Sequence, residues 1–476
     1  GMRGNIKHLV FCVCVAFVLC AFASVASAKT IYVPDDCAKI QWAVDNASAW
    51  DTIVVRDGVY VENIDINKPH LTIESENGSG NCVVQAVNSN DHVFYVTADD
   101  VTIKGFTVTG ATGYQEAGIY LYNSDYCGIE NVIASNNNYG IRLSSSSNNI
   151  IANNNVSSNN NNGIYLRYSS NNNTIANNNV SSNNWDGIYL YSSSNNTIAN
   201  NNVSSNNADG IYLRYSSNNN TIANNNVSSN HGDGIRLYKS SNNNIANNNA
   251  SNNSYGIKLR HSSNNNIANN TVSNNVDGIS LAYSSNNIIA NNTVSNYYDG
   301  IDLIYSSNNI MANNTVSNNY DGIGLHYSSN NTIANNTVSN NGDGIELYDS
   351  SNNTIANNTV SSNNYDGIYL SSSSNNIIAN NNASNNCHGI YLDDSSNNTM
   401  ANNSMTDNTY NFYLYGKQDS HFDNNIDTTN TVDGKPIYYI KISSNTVYDS
   451  STNAVSYTHL RAHETEADLV CRLLLE

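Results

Sequence analysis

Eight aspartates, Asp186, Asp209, Asp233, Asp277, Asp299, Asp321, Asp343 and Asp366, each stand immediately before a glycine, and neighbours in the two unbroken runs are 22 to 24 residues apart. If the chain coils with that period, the carboxylates form an axial column with Asn side chains and backbone carbonyls beside it. That is a hard oxygen set suited to Ca2+. A plainer reading is a tolerated polar corner, because two like charges about 5 Å apart in water repel by only about 0.9 kcal/mol. Tyr255 interrupts the column, and Tyr139, Asn162 and His388 take its place in other coils, which favours a loosely kept corner over a metal cage.

A second series is the residue between the repeated Ile and Leu, which runs Tyr120, Arg142, Tyr165, Tyr189, Tyr212, Arg236, Lys258, Ser280, Asp302, Gly324, Glu346, Tyr369 and Tyr391. Tyr165, Tyr189, Tyr212, Arg236, Tyr369 and Tyr391 make a candidate carbohydrate-binding strip. Ring faces pack on pyranose C–H groups, while charges bond hydroxyls or carboxylates. Tyr is equally a favoured strand residue that stacks in ladders. No catalytic residue is assigned: Arg142, Arg236 and Lys258 near Asp233 imitate a Ca2+-plus-base lyase site, but a repeat scatters such combinations by chance.

These residues need an element that returns with the same period. Gly118, Gly140, Gly163, Gly187, Gly210, Gly234, Gly256, Gly278, Gly300, Gly322, Gly344, Gly367 and Gly389 are each followed by Ile, at spacings of 22, 23 or 24. Such a period decides the fold. One unit reads D-G-I-x-L-x-Y-S-S-N-N-x-I-A-N-N-T-V-S-N-N-x. Its apolar segments are two to four residues long, too short for helices and rich in poor helix formers. Leucine-rich repeats need more Leu per unit. Ile323 and Leu325, two apart, share one side of a strand. Three short strands per unit, turning at Asn-rich corners, predict an all-β right-handed parallel β-helix solenoid, in which thirteen such coils reach about 60 Å at a spacing of about 4.8 Å. Asn suits the corners because it tolerates left-handed backbone, and stacked amides can form ladders. Insertions are expected in the Asn runs at Asn171 and Asn218.

The composition agrees with a folded chain: 39% hydrophobic and 12% charged, with 33 Tyr. The net charge of -19 makes nucleic acid and anionic membranes poor partners. Arg3, Lys7 and His8 before the apolar Leu9-to-Phe22 run and Ala26-Ser27-Ala28 predict a secretory signal peptide over residues 1–28, an exported mature protein and no membrane span after the signal's removal. Of the Cys beyond it, Cys37 and Cys82 are the candidate disulfide, and burial as small hydrophobes is the alternative for Cys37, Cys82, Cys127 and Cys387. Sequons such as Asn291 to Thr293 follow from the repeat and permit surface glycosylation.

Residues 29–117 read as an N-terminal cap with first irregular coils, in which AKIQWAVDNASA (Ala38 to Ala49) is an amphipathic helix covering the first coil. The regular repeat occupies 118–410, and 411–455 read as irregular and truncated C-terminal coils. IQWAVDNASAWDTIVVRDGVYVENI, the NN-x-I-x-NN-x-x-x-x-GI-x-L units and DGKPIYYI (Asp433 to Ile440) resemble the NosD-like, pectin-lyase-like secreted β-helix repeat proteins abundant on methanogen-type archaea. The likeness covers residues 30 to 450, with Trp50 where that family has Gly. Residues 456–476 depart from it and resemble translated adapter sequence, a non-native tail.

The resemblance implies a secreted or cell-surface protein, non-catalytic, acting in polysaccharide binding, adhesion or cell-envelope structure. The alternative is a polysaccharide-modifying lyase, hydrolase or epimerase on the same strand face, although the GHG, RIK and DPHD motifs of such enzymes are missing. A copper-related periplasmic role is a second alternative. His92, His231, His261, His326, His388 and His421 share no column, however, and Cys387 and His388 would face opposite ways on a strand.

Overall fold

The computed structural model describes residues 28–440 and the strand Val455–Thr458. The expected signal peptide and the tail beyond Thr458 lie outside the described residues.

Each regular coil passes through three short strands, as in Asp321–His326, Thr332–Ala334 and Thr337–Ser339. We call the sheets they build the first, second and third. Within each, a strand pairs in parallel with its counterpart one coil on, setting like on like: Ile301 with Ile323, Ile333 with Ile355, Val338 with Val360. The result is an all-β right-handed parallel solenoid of about 18 turns. That exceeds the thirteen Gly-Ile units because flanking coils without the signature stack in the same sheets. Thr30, Thr52, Thr72 and Thr102 are successive partners at one end, and Ile390 meets Phe412 at the other.

The core is a column of Ile, Leu, Ile and Val, one set per coil, and it runs unbroken from Ile31 to Ile437. Each Asn-Asn pair in the corners divides its labour. The first residue is left-handed, as at Asn308 and Asn313 (φ 59° and 57°). The second turns inward, as Asn309 and Asn314 do at 1% exposure, and joins an amide ladder along the axis. Asn is the residue that serves both needs, since its short amide tolerates left-handed backbone and carries both donor and acceptor.

The repeat glycine meets a different constraint, a lack of room. A Cβ on Gly300 would lie 2.5 Å from the Gly322 carbonyl oxygen and 2.5 Å from Val316 Cγ1. Gly and the Ile after it therefore both face inward, and strand alternation breaks at that point. In Asp343–Tyr348 the consequence is that Asp343 and Glu346, three apart, both lie on the outer side.

Two sequence expectations need correction. The extra residue of the 24-residue coils is absorbed just before the Asn run, where Tyr168-Ser169 and Tyr215-Ser216 are consecutive left-handed residues. Cys37 and Cys82 are not joined: the four thiols among the described residues are free, with Cys82 and Cys127 buried in the core. Burial pushes both of those thiols up to about 12.

A seven-residue helix, Ile40–Asn46, buries Ile40, Ala43 and Val44 against the first strands. Glu62 accepts hydrogen bonds from the Ile40 and Gln41 N–H groups at 3.0 and 3.1 Å. Trp50 sits at φ 76°, a region where Gly is strain-free, and its ring stacks on His70 at 4.0 Å. Near the other end, Thr431–Val432 turns through Asp433-Gly434 into an antiparallel pairing with Lys435–Ile440, which pairs in parallel with Val455–Thr458.

Candidate functional site

The aspartate column follows the outer edge of the first sheet, and much of it is spoken for by backbone. Asp209 N–H donates to Asp186 Oδ1 at 2.9 Å, Asp233 N–H to Asp209 Oδ1 at 2.7 Å, and Asp366 N–H to Asp343 Oδ1 at 2.8 Å. The column thus acts partly as a ladder of its own. Burial raises Asp186 to about 7, with Asp209's charge adding to it, and Asp233 to about 6.

The residue between Ile and Leu divides the column in two. Arg236 reaches Asp209 at 3.2 Å and Asp233 at 3.8 Å, and Lys258 reaches Asp233 at 3.8 Å. Further along, that position holds Asp302, the neutral Gly324 and Glu346, and the two acids add charge of the same sign as the column. Burial, then neighbouring carboxylates, push Asp321 and Asp343 up to about 6 and Glu346 up to about 7. At Asp343 the hydrogen bond from Asp366 opposes the rise. Asp277 and Asp299 continue the column between the halves, and Asp299 donates its N–H to Asp277 Oδ1 at 3.3 Å. Asp366 is bonded to His388 Nδ1 at 2.6 Å.

The candidate sugar strip falls into two patches. Tyr165, Tyr189 and Tyr212 stack face to face, with centroids 5.0 and 5.1 Å apart, and the Arg236 guanidinium caps Tyr212 at 4.9 Å. Tyr369 and Tyr391 form a separate pair at 4.9 Å, extended by Tyr413. The stacked rings cover one another's faces, and Tyr212 is only 9% exposed. This strip therefore offers solvent its ring edges and hydroxyls more than its faces.

A longer aromatic ladder escaped the sequence reading. Tyr168, Tyr191, Tyr215, Tyr238, His261, Tyr283, Tyr305, Tyr327 and Tyr348 are successive ring neighbours over nine coils, with centroids 4.9 to 6.0 Å apart. Arg167, Arg214 and Lys239 lie over its rings at one end. Tyr168 is 52% exposed and Tyr305 48%. The early members meet edge to face, an arrangement that leaves ring faces open, whereas Tyr283, Tyr305 and Tyr327 stack flat. The column was hidden because Tyr191, Tyr238 and Tyr348 follow the repeat Leu directly, while the others come one residue later.

Residues 274–439 match the family described as periplasmic copper-binding protein (NosD), and residues 91–250 match the right handed beta helix region. A cell surface glycoprotein of Methanothermus fervidus is 35% identical over 111 residues, 23% of this chain and 17% of that protein. Among solved structures, Dettilon tailspike protein aligns at TM-score 0.52 and 19% identity, covering 60% of this chain and 66% of that one. The periplasmic alginate epimerase AlgG aligns at TM-score 0.45 and 17% identity, over 63% and 82%. The chain therefore spans less than two thirds of the first of each kind, and the likeness to the tailspike speaks for the fold alone. The residues present do not fit copper. Among the described residues, the group of His, Cys, Asp and Glu close enough to share an ion is Asp321, Asp343 and Glu346, all hard oxygen donors. Met311, Met400 and Met405 are fully buried in the core.

Proposed function

The chain is a right-handed β-helix repeat protein, NosD-like and pectin-lyase-like, and on that basis we propose that it is a non-catalytic surface protein that binds extended polysaccharide outside the cytoplasm. The observation that carries this reading is the exposed aromatic ladder from Tyr168 to Tyr348. Its rings recur once per coil along a rigid axis, with cations at one end, a platform that a long polymer can follow for many residues. Tyr presents broad, rigid contact area at low entropic cost. The strip of Tyr165, Tyr189, Tyr212 and Arg236 would add hydroxyl and charge contacts on the adjoining sheet.

The location rests on the similarity to a cell surface glycoprotein and to a periplasmic family. No helix among the described residues is long and apolar enough to cross a membrane. A cell-envelope glycan is the partner this placement favours.

One observation supports the enzymatic alternative: Asp321, Asp343 and Glu346 are clustered carboxylates with raised pKa, which suits acid–base work on a glycosidic bond. Incubation with a panel of neutral and acidic polysaccharides separates the two. Retention on a polymer without new reducing ends or unsaturated products supports the binding role. Turnover that Glu346→Gln abolishes would establish the enzyme instead.

A further inference from the structure

The half of the aspartate column without basic neighbours has a charge problem of its own. Register pairs Asp302 with Gly324 and Gly324 with Glu346, and beside them Asp299 with Asp321 and Asp321 with Asp343. Five carboxylates thus occupy three successive coils. One oxygen each from Asp321, Asp343 and Glu346 lies within 4.8 Å of the others. Among the described residues, no Lys or Arg pairs with any of them or with Asp302, whereas Asp209 and Asp233 in the other half have Arg236 and Lys258.

A second observation is independent of that crowding. Asp302 is 7% exposed, and its Oδ1 has no hydrogen-bond partner, as is true of Asp321 Oδ1. The nearest basic group, His326 Nε2, is 3.7 Å away, beyond hydrogen-bond range. At the space that Gly324 leaves between Asp302 and Glu346, Asp302 Oδ1 stands 3.6 Å from where a Cβ would be and the edge of the His326 ring, Nε2 at 3.4 Å, shares it. A buried carboxylate oxygen beside other carboxylates, with no hydrogen-bond partner, is costly unless a proton or a cation neutralises it, and a cation can serve several of the carboxylates at once.

We propose that Asp321, Asp343 and Glu346, with Asp302 facing them across Gly324, bind a divalent cation, Ca2+. The donors are all oxygen. Ca2+, with flexible coordination at about 2.3–2.6 Å, spans roughly 4.6–5.2 Å from ligand to opposite ligand and accommodates such a trio, while Mg2+ demands near-ideal octahedral geometry. Arg236 and Lys258 perform the same neutralisation by ion pairing a few coils earlier. The inference is independent of whether the ladder binds sugar.

The test titrates CaCl2 calorimetrically into EDTA-stripped, dialysed full-length protein near neutral pH, with thermal midpoints recorded in Ca2+ and in EDTA. Saturable binding of about one ion per chain and a midpoint raised by Ca2+ are expected. Glu346→Gln should weaken the affinity at least about tenfold. Asp209→Asn, in the Arg-paired half, should leave it unchanged. Gly324→Lys, which introduces the missing cation at a site where a Cβ has ordinary contacts, should abolish Ca2+ binding while leaving the midpoint in EDTA at or above that of wild type. No saturable binding by folded wild type up to millimolar Ca2+ would overturn the site. So would unchanged affinity in Glu346→Gln, or an equal loss in Asp209→Asn.

Discussion

The side-chain amide of Asn292 donates to Asn314 Oδ1 at 3.0 Å, and Asn314 repeats the bond to Asn336 at 3.0 Å. Asn314 also donates to the Ile289 carbonyl at 2.9 Å and accepts the Asn292 backbone N–H at 3.0 Å. One buried side chain therefore satisfies groups in the coil before and the coil after its own. Asn314→Ala should orphan several of them and cost about 3 kcal/mol. Each coil touches only its neighbours, so the loss should be local. Hydrogen exchange is the suitable readout, with faster exchange in the coils around Asn314 and little change near Ile198.

Gly300→Ala tests the inward position before the repeat Ile. The new methyl would meet the Gly322 carbonyl and Val316 at 2.5 Å each, and both are backbone or tightly packed core. We expect about 2 kcal/mol or more of destabilisation. Gly324→Ala, two residues beyond the next repeat glycine, has its nearest atom at 3.4 Å and should cost little by comparison. Equal thermal midpoints for the two variants would contradict the packing argument.

What could be read from the sequence, and what could not, divides on this same glycine. The 22-to-24 period, the three strands and the alternating Ile-x-Leu core were legible because a period-2 apolar pattern between polar corners admits little else. The meeting of Asp343 with Glu346 was not. Residues three apart on a regular strand face opposite ways, and only the inward Gly344-Ile345 pair brings the two carboxylates to one side. The aromatic ladder was lost for a different reason: where the left-handed residue two after Leu is Ser192, Lys239 or Asp349, the ring comes from the residue before it, Tyr191, Tyr238 or Tyr348, so a single column draws on two places in the repeat. The Cys37–Cys82 bridge failed because nothing in a scattered set of thiols fixes distance.

Stability should depend on pH through Asp186 and Asp233. Burial, together with the charge of Asp209, raises their folded-state values to about 7 and about 6 from an ordinary 3.8. Arg214 and Arg236 oppose the rise at Asp186, and Lys258 and Arg236 oppose it at Asp233. A raised value means that the folded state holds the proton more tightly. The contribution is therefore fully present below about pH 4 and is lost as pH rises through 6 to 7. In EDTA, the thermal midpoint should fall between pH 5 and pH 8. Arg236→Gln should steepen that fall, since it removes the guanidinium 3.2 Å from Asp209. A flat midpoint over this range would contradict the assignment.

The exposed ladder and the stacked strip make different demands on a bound polymer, so their substitution separates them. Tyr165, Tyr189 and Tyr212 cover one another's faces, and a single Tyr189→Phe, which deletes only a hydroxyl, should weaken polysaccharide retention by less than about threefold. A larger loss would move the sugar site from the corner to the strip.

The most direct test of the central claim is the affinity of the full-length chain for the polysaccharide that retains it best, compared with that of the triple variant Tyr168→Ser, Tyr191→Ser, Tyr238→Ser. These three rings meet their neighbours edge to face and lie outside the core, with Tyr168 52% exposed, so the fold should survive their loss. The account predicts a drop of about a hundredfold or more, at about 1 kcal/mol or more per aromatic contact, with an unchanged circular dichroism spectrum. Unaltered affinity in a folded triple variant would contradict it.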